Sequence, residues 1–395
     1  VTSASAATRW LFVESYPHVM AGQQRTLCSL LERCPELGIR PIVAVTGEGT
    51  FAEEMRRRGL DFEMYAYPEM LGRYGGAVYR NRGLSRLRLY AQWVGYLWNI
   101  RRRLRGAELA GVYCNDMRGL LTVGLAARSL GLPVALWDKL DKPHGWLDWL
   151  QLPLVRANPV ISKAVTVKYP AWQRRYWADR IRVVPNGVDL SRFDTVKADR
   201  GRLPGAPGDV RLGIVGSITE RKGQDRVLAV FERALATHPE LRLFIVGETT
   251  GSAEDAAYQA SLPLRDHPRV HFLGQRTDVP AIMKSLDLLL VPSRHEGMGQ
   301  VTVEAMAAGL PVIGARAGGI PEVVVDGVTG LLFEGDSAED LLRCIRLLAG
   351  DAGLRRKMGQ AGRARVEAHY DRATQHRKIL ELCLAMAKRR EVGHG

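Results

Sequence analysis

Short apolar runs rich in Val, Ile and Leu alternate with longer stretches of helical spacing from one end of the chain to the other. Residues 10–13, 42–45, 62–65, 111–113, 134–137, 160–162 and 181–184 form one series of such runs. Residues 211–215, 242–246, 270–273, 288–291, 312–314 and 331–333 form a second. Most are continuously apolar rather than alternating, as parallel strands buried on both faces are. Strands separated by helical segments imply βαβ units, and two series imply two doubly wound α/β domains. A polar stretch at 191–209, holding Gly201, Pro204, Gly205, Pro207 and Gly208, separates them. The expected division is a Rossmann-like domain over 1–190, a second over 191–370, and a helix over 371–395 that returns to the first. Two such domains facing each other leave a cleft. Ligands in this architecture sit outside the carboxyl ends of the strands, so the chemistry belongs in the loops that follow them.

The 395 residues are 46% apolar and 25% charged, which excludes a disordered or low-complexity chain. Five scattered cysteines, without a CxxC pair, argue against a disulfide framework or a structural zinc site and predict a reducing, cytoplasmic setting. The nine histidines show no ligand spacing, so no metal is expected. No apolar run reaches the roughly 18 residues of a membrane span, and the N-terminus lacks the pattern of a signal peptide. The net charge of +14 is unevenly placed: residues 1–190 hold 27 basic against 16 acidic residues, and residues 191–395 hold 29 against 26. Residues 70–107 contain nine arginines and no acidic residue, which points to a partner rather than to the fold.

The richest stretch is VPSRHEGMGQVTVEAMAAGLPVIGARAGGIPE at 291–322. An apolar strand turns through Pro292 and Ser293, and Glu296 leads a Gly297–Met298–Gly299 turn into a helix beginning near Gln300 and carrying Glu304. The glycines allow close backbone approach to a ligand, and free N–H groups at a helix start suit a phosphate. A capped strand–turn–helix with two surface glutamates has the same spacing. Lys222 ends another strand–loop just before a helix at Gly223, where its ammonium and the helix N-terminus would converge on a diphosphate.

Taken whole, the string PSxxEGxGxxxxEAMAxGxPVI followed by GGxxE at 318–322 resembles the retaining nucleotide-sugar glycosyltransferases of family 4, which have the GT-B fold. The stretches at 184–189, 215–223, 244–247, 272–274 and 326–331 resemble further pieces of that family in order. The resemblance is close in the C-terminal half and loose in the N-terminal half. It implies that Lys222 binds the donor phosphates, that Glu296 contacts the transferred sugar, and that Glu304 holds the ribose hydroxyls. It also implies that the backbone from Gly297 through Met298 and Gly299 to Gln300 lines sugar and diphosphate. The family usually has an arginine where Ser217 stands, and Arg221 is the candidate substitute, the alternative being a solvated loop charge. Gly22, after the first strand, would lie near the donor phosphate or the acceptor, or simply serve a tight turn. After the fifth strand the family's histidine is missing. Asp138 and Lys139 stand there with His144 nearby, and Asp138 would bind a hydroxyl, cap a helix or pair with Lys142. No cofactor or metal is implied beyond a nucleoside-diphosphate sugar, with UDP-sugar favoured.

The acceptor implied is a glycan, a lipid-linked saccharide or a small molecule, held by the first domain. Residues 85–104 read as a helix with Leu87, Tyr90, Val94, Leu97, Ile100 and Leu104 facing the core and a solvated basic face. The same arginines among Tyr and Trp suit an anionic membrane surface or an anionic soluble acceptor. Nucleic acid is not expected, because no binding module accompanies the charge. The competing functions are a nucleotide-sugar-cleaving or epimerising GT-B enzyme and an inactive sugar- or nucleotide-binding protein.

Overall fold

The computed structural model describes residues 7–72, 84–141, 143 and 145–392, with the side chains of Glu391 and Val392 excepted. It divides into two compact units. The first comprises residues 1–161, 166–184 and 376–395, and the second residues 162–165 and 185–375.

Every strand anticipated from the apolar runs forms. In the first unit, β1 (Thr8–Glu14), β2 (Ile39–Val45), β3 (Phe62–Met64), β4 (Gly111–Cys114) and β5 (Val134–Leu136) make a parallel sheet in the order β3-β2-β1-β4-β5. A parallel pair, β6 (Asn158–Val160) and β7 (Ile181–Val183), is bridged to it through Ala135 and Ala157. The strand expected at 160–162 thus lies two residues earlier, because Ser162 leaves the ladder to bond Gly297 O and Val165 N.

In the second unit, β8 (Val210–Val215), β9 (Leu241–Val246), β10 (Val270–Phe272), β11 (Leu288–Val291), β12 (Val312–Ala315) and β13 (Gly330–Phe333) are parallel in the order β10-β9-β8-β11-β12-β13. β1 is flanked by β2 and β4, and β8 by β9 and β11, so each sheet reverses direction of growth beside its first strand. That switch point is where open α/β sheets bind ligands.

Burial explains the continuous apolar runs: Leu11 to Glu14 in β1 and Leu288 to Val291 in β11 are all buried, with helices covering both faces. The main core of the second unit joins β8, β9 and β11 to the helices Gln224–Leu235 and Ala338–Gly350. The chain leaves the first unit after Val184, whose N–H still bonds Val160 O (2.8 Å). Four residues later, Val188 is bonded to Tyr370 and Arg372 in the second unit. The polar stretch at 191–209 therefore follows the unit boundary rather than marking it.

The helix Leu84–Arg105 corrects one expectation. Leu87, Tyr90 and Val94 are not core residues but are 66%, 47% and 58% exposed. The core face is Leu89, Trp93, Tyr96, Leu97, Ile100 and Leu104. The helix has apolar residues on two sides, and spacing alone selected the outer set in its first half. Among the described residues, no helix is long and apolar enough to cross a membrane.

Candidate functional site

At the carboxyl end of β8 the chain turns through Gly216 (φ +146°) and Ser217 into a short 3-10 turn, Glu220–Lys222, and then the helix Gln224–Leu235. Gly223 (φ +71°) has to be glycine: a Cβ there would lie 2.3 Å from Pro292 O, in the loop after β11. The two loops are further joined by a bond from Arg294 N to Arg221 O (2.8 Å). This close seating brings Lys222 Nζ to 2.6 Å from Glu296 Oε2. Ser293 Oγ (3.3 Å) and Arg221 Nη1 (3.4 Å) donate to the same oxygen, and Arg221 also donates to His295 O (3.0 Å). Arg221 is thus half-exposed but tied to the loop rather than free in solvent.

The glycines around Glu296 serve the same close approach. A Cβ on Gly318 (φ +52°) would fall 1.9 Å from Glu296 O, and one on Gly319 would fall 2.4 Å from Gly297 O. Met298 is buried, and Gly299 (φ +81°) is the N-cap of the helix Gln300–Ala307, with no side-chain cap. Thr302 N–H turns back onto Gly299 O (2.8 Å), so the N–H groups ahead of it are the ones placed for an anion, which the dipole favours there. Thr219 Oγ1, Gln300 Oε1 and Thr302 Oγ1 are buried polar atoms without a protein partner, which fits a site that receives a polar ligand.

Glu304 lies one turn into that helix, half-buried. Burial raises its carboxyl above the ordinary value, opposed by the positive charges of Arg192 and Arg372 and a hydrogen bond from Gln300. Those two arginines were not legible as site residues. Arg372 is brought in because residues 186–188 cross the chain at 370–372, with Val188 N bonded to Tyr370 O (2.8 Å). Only glycine fits at 187, where a Cβ would be 2.3 Å from Arg372 Cα. Two further residues brace the site. Arg294 makes a bidentate pair with Asp225 (2.8 and 2.7 Å), and Glu322 accepts from Lys163 N and Ala164 N (both 2.9 Å).

In the first unit, Gly22 begins the helix Gly22–Leu31 and is exposed, with nothing within 4 Å of where a Cβ would stand. Asp138 is buried, and its oxygens are occupied by Lys168 Nζ (2.7 Å), Gln151 Nε2 (2.9 Å), Tyr169 Oη and Leu140 N (3.2 Å). Its cation is Lys168, thirty residues away; Lys142 and His144 lie outside the described residues. Lys139 instead donates to Asn115 Oδ1 (2.9 Å), whose Nδ2 donates to Glu14 Oε2 (2.6 Å). Burial lowers the Lys139 ammonium to about 8. Burial, and then the charge of Asp116, pushes the Glu14 carboxyl up to about 7 against bonds from Asn115, Gln24 and Tyr16 N. This chain of buried polar groups spans the ends of β1, β4 and β5, and only Lys139 of it stood out in the sequence. Among the described residues no cluster of His, Cys, Asp or Glu is arranged to hold a metal.

Residues 197–365 match the family described as glycosyl transferases group 1. The chain is 36% identical over 190 residues to the D-inositol 3-phosphate glycosyltransferase of Nocardia farcinica, covering 46% of this chain and 42% of that protein. It is 38% identical over 186 residues to the protein of that name in Mycobacterium bovis, covering 44% and 38%. The matched stretch therefore spans less than half the length of these curated relatives. Among solved structures, HepE of Anabaena in complex with UDP and glucose superposes with a TM-score of 0.71 at 21% identity, over 95% of this chain and 99% of that one. The lipopolysaccharide outer core galactosyltransferase WaaB in its apo form gives 0.69 at 19% identity, over 95% and 99%. The chain has the GT-B fold.

Proposed function

We propose, from the premise that residues 197–365 form a glycosyl transferases group 1 domain within a GT-B fold, that the protein is a retaining glycosyltransferase. It moves a sugar from a nucleoside-diphosphate sugar, with UDP as the nucleotide, to a saccharide or lipid-linked acceptor held by the first unit. The observation that carries this reading is the Lys222–Glu296 pair, set between two glycine-seated loops beside the uncapped start of the helix Gln300–Ala307.

In this reading the diphosphate binds Lys222, Arg221 and the N–H groups that follow Gly299. An ammonium has three donors, so its bond to Glu296 leaves others for phosphate oxygens. Glu304 accepts from the ribose hydroxyls. Glu296 contacts the sugar and supports positive character at its anomeric carbon as the bond to phosphate lengthens. The acceptor oxygen bonds to that carbon on the face the diphosphate leaves, and its proton passes to the departing phosphate oxygen. No side-chain base is required. Gly22 and the group around Lys139 belong to the acceptor side. The arginines of Leu84–Arg105, with Leu84, Leu87, Val94 and Trp98 exposed on one side, bring the enzyme to an anionic membrane surface.

The test pairs two substitutions. Glu296→Ala should lower transfer from UDP-sugar by about a thousandfold while UDP still raises the melting temperature. Lys222→Ala should weaken UDP binding in calorimetry about tenfold or more. Parent-level transfer by Glu296→Ala would remove the proposed site. UDP-sugar breakdown at one rate with or without any acceptor would make the protein a nucleotide-sugar-cleaving enzyme instead.

A further inference from the structure

We propose that a cavity in the first unit binds the hydrocarbon chain of an anionic, phosphate-headed amphiphile, and that this amphiphile is the sugar acceptor. The second clause rests on the transferase reading; the first does not.

The cavity has a volume of about 300 Å³ and opens beside the helix Leu84–Arg105. Its walls are Leu71, Leu89, Trp93, Leu121, Leu147 and Leu150. The polar atoms among them are already satisfied. Trp93 Nε1 donates to Leu121 O (3.0 Å), and Thr122 Oγ1 donates to Arg118 O (2.7 Å). A sugar needs convergent hydrogen-bonding groups, which these walls do not present; a hydrocarbon chain needs none.

The rim supplies the charge. Arg86 and Arg118 line the opening, and among the described residues no acidic side chain does. Arg86 stacks on Tyr90 (5.6 Å) and Arg118 on Tyr16 (4.9 Å), which holds both guanidinium groups at the mouth on aromatic faces. Tyr16 follows β1 directly, and Arg118 follows β4, so the charged side of the mouth adjoins the carboxyl ends of these strands. A head group held there lies at the end of the sheet where this architecture binds its substrates. The basic character continues along Leu84–Arg105, which contains no acidic residue. Trp146, 68% exposed, adds an amphipathic ring to the rim.

The probe is dodecyl phosphate below its micelle-forming concentration, titrated calorimetrically into the full chain. Saturable binding to one site is expected. Each methylene withdrawn from water strengthens binding by about fourfold, so octyl phosphate, four methylenes shorter, should bind roughly 250-fold more weakly. Dodecyltrimethylammonium should not compete. Leu89→Trp, which fills the cavity, should weaken dodecyl phosphate about tenfold or more with UDP affinity unchanged. Leu121→Phe serves the same purpose if the first variant fails to fold. Absence of binding to monomeric dodecyl phosphate overturns the proposal, as does binding that ignores the filling substitutions. Binding confined to vesicles of anionic phospholipid overturns it in favour of a surface, and dimerisation abolished by the filling variants overturns it in favour of a second copy. UDP titrated into the same samples keeps the two readings apart: its failure removes the transferase and leaves the cavity, and the reverse result does the opposite. Transfer of labelled sugar to a phosphate-headed lipid, lost in Leu89→Trp but retained for a soluble saccharide, would support the acceptor assignment; retention for both would overturn it.

Discussion

At the carboxyl ends of β8 and β11, two cations of one loop, Arg221 and Lys222, meet a carboxylate of the other, Glu296, while glycines press main chain against main chain. At the carboxyl ends of β1, β4 and β5, Glu14, Asn115 and Lys139 bond to one another in series, and Asp116 caps its own turn. The topology is shared and the chemistry is opposite. The second unit leaves N–H groups and polar atoms unspent at a helix start, as a site for a polyanion requires. In the first unit Glu14, Asn115 and Lys139 spend polar groups on one another, which stiffens the strand ends, and burial shifts the Glu14 and Lys139 charges.

Substitution separates these two modes. Gly318→Val places a side chain where Glu296 O already lies, on a backbone with φ +52°. It should cost about 3 kcal/mol or more in urea unfolding and remove the melting shift given by UDP. Parent stability in that variant would mean the loops are not seated as described. A smaller effect is expected from Glu14→Gln, and it depends on pH. The Glu14 carboxyl is raised from 4.5 to about 7 on folding, so the native state binds this proton more readily than the unfolded chain. Its contribution is complete below pH 4.5 and is lost as pH rises through about 7. Stability curves should show that decline in the parent and a flatter profile in the variant; identical profiles would place the ionisation elsewhere. The least effect is expected from Gly22→Ala, since an added Cβ meets nothing within 4 Å. Its melting temperature should correspond to a change within about 1 kcal/mol. Lost transfer with stability intact would show that the acceptor or donor needs that space.

The same contrast explains what could be read in advance. The loop at 291–322 is local: the strand, glycines, helix start and both glutamates lie within one short stretch, so its elements could be read there, while the roles of its glutamates came from the family resemblance. The strands were legible because burial on both faces leaves runs such as 288–291 without a polar residue. The pairing of Asp138 with Lys168, and the series Glu14–Asn115–Lys139, depend instead on which strands become neighbours. Arg372 reaches the neighbourhood of Glu304 only because residues 186–188 pack across 370–372. In Leu84–Arg105 the limit was different: two apolar sides fit helical periodicity equally well, and packing rather than spacing selects Trp93 over Val94.

Residues 162–165 belong to the second unit although the residues on either side of them belong to the first. With the passages after 184 and 375, the chain changes unit at four points. Heredity and folding therefore draw their modules differently here. The stretch that matches the glycosyl transferases group 1 model is 197–365, yet the body that folds around it borrows four residues from the other half of the gene product. A chimera that grafted a relative's C-terminal half at Pro185 would leave Lys163 and Ala164 facing foreign partners in place of Glu322, and Ser162 without its own Gly297 O. Recombination that preserves these bonds has to carry that short loop along with the second unit.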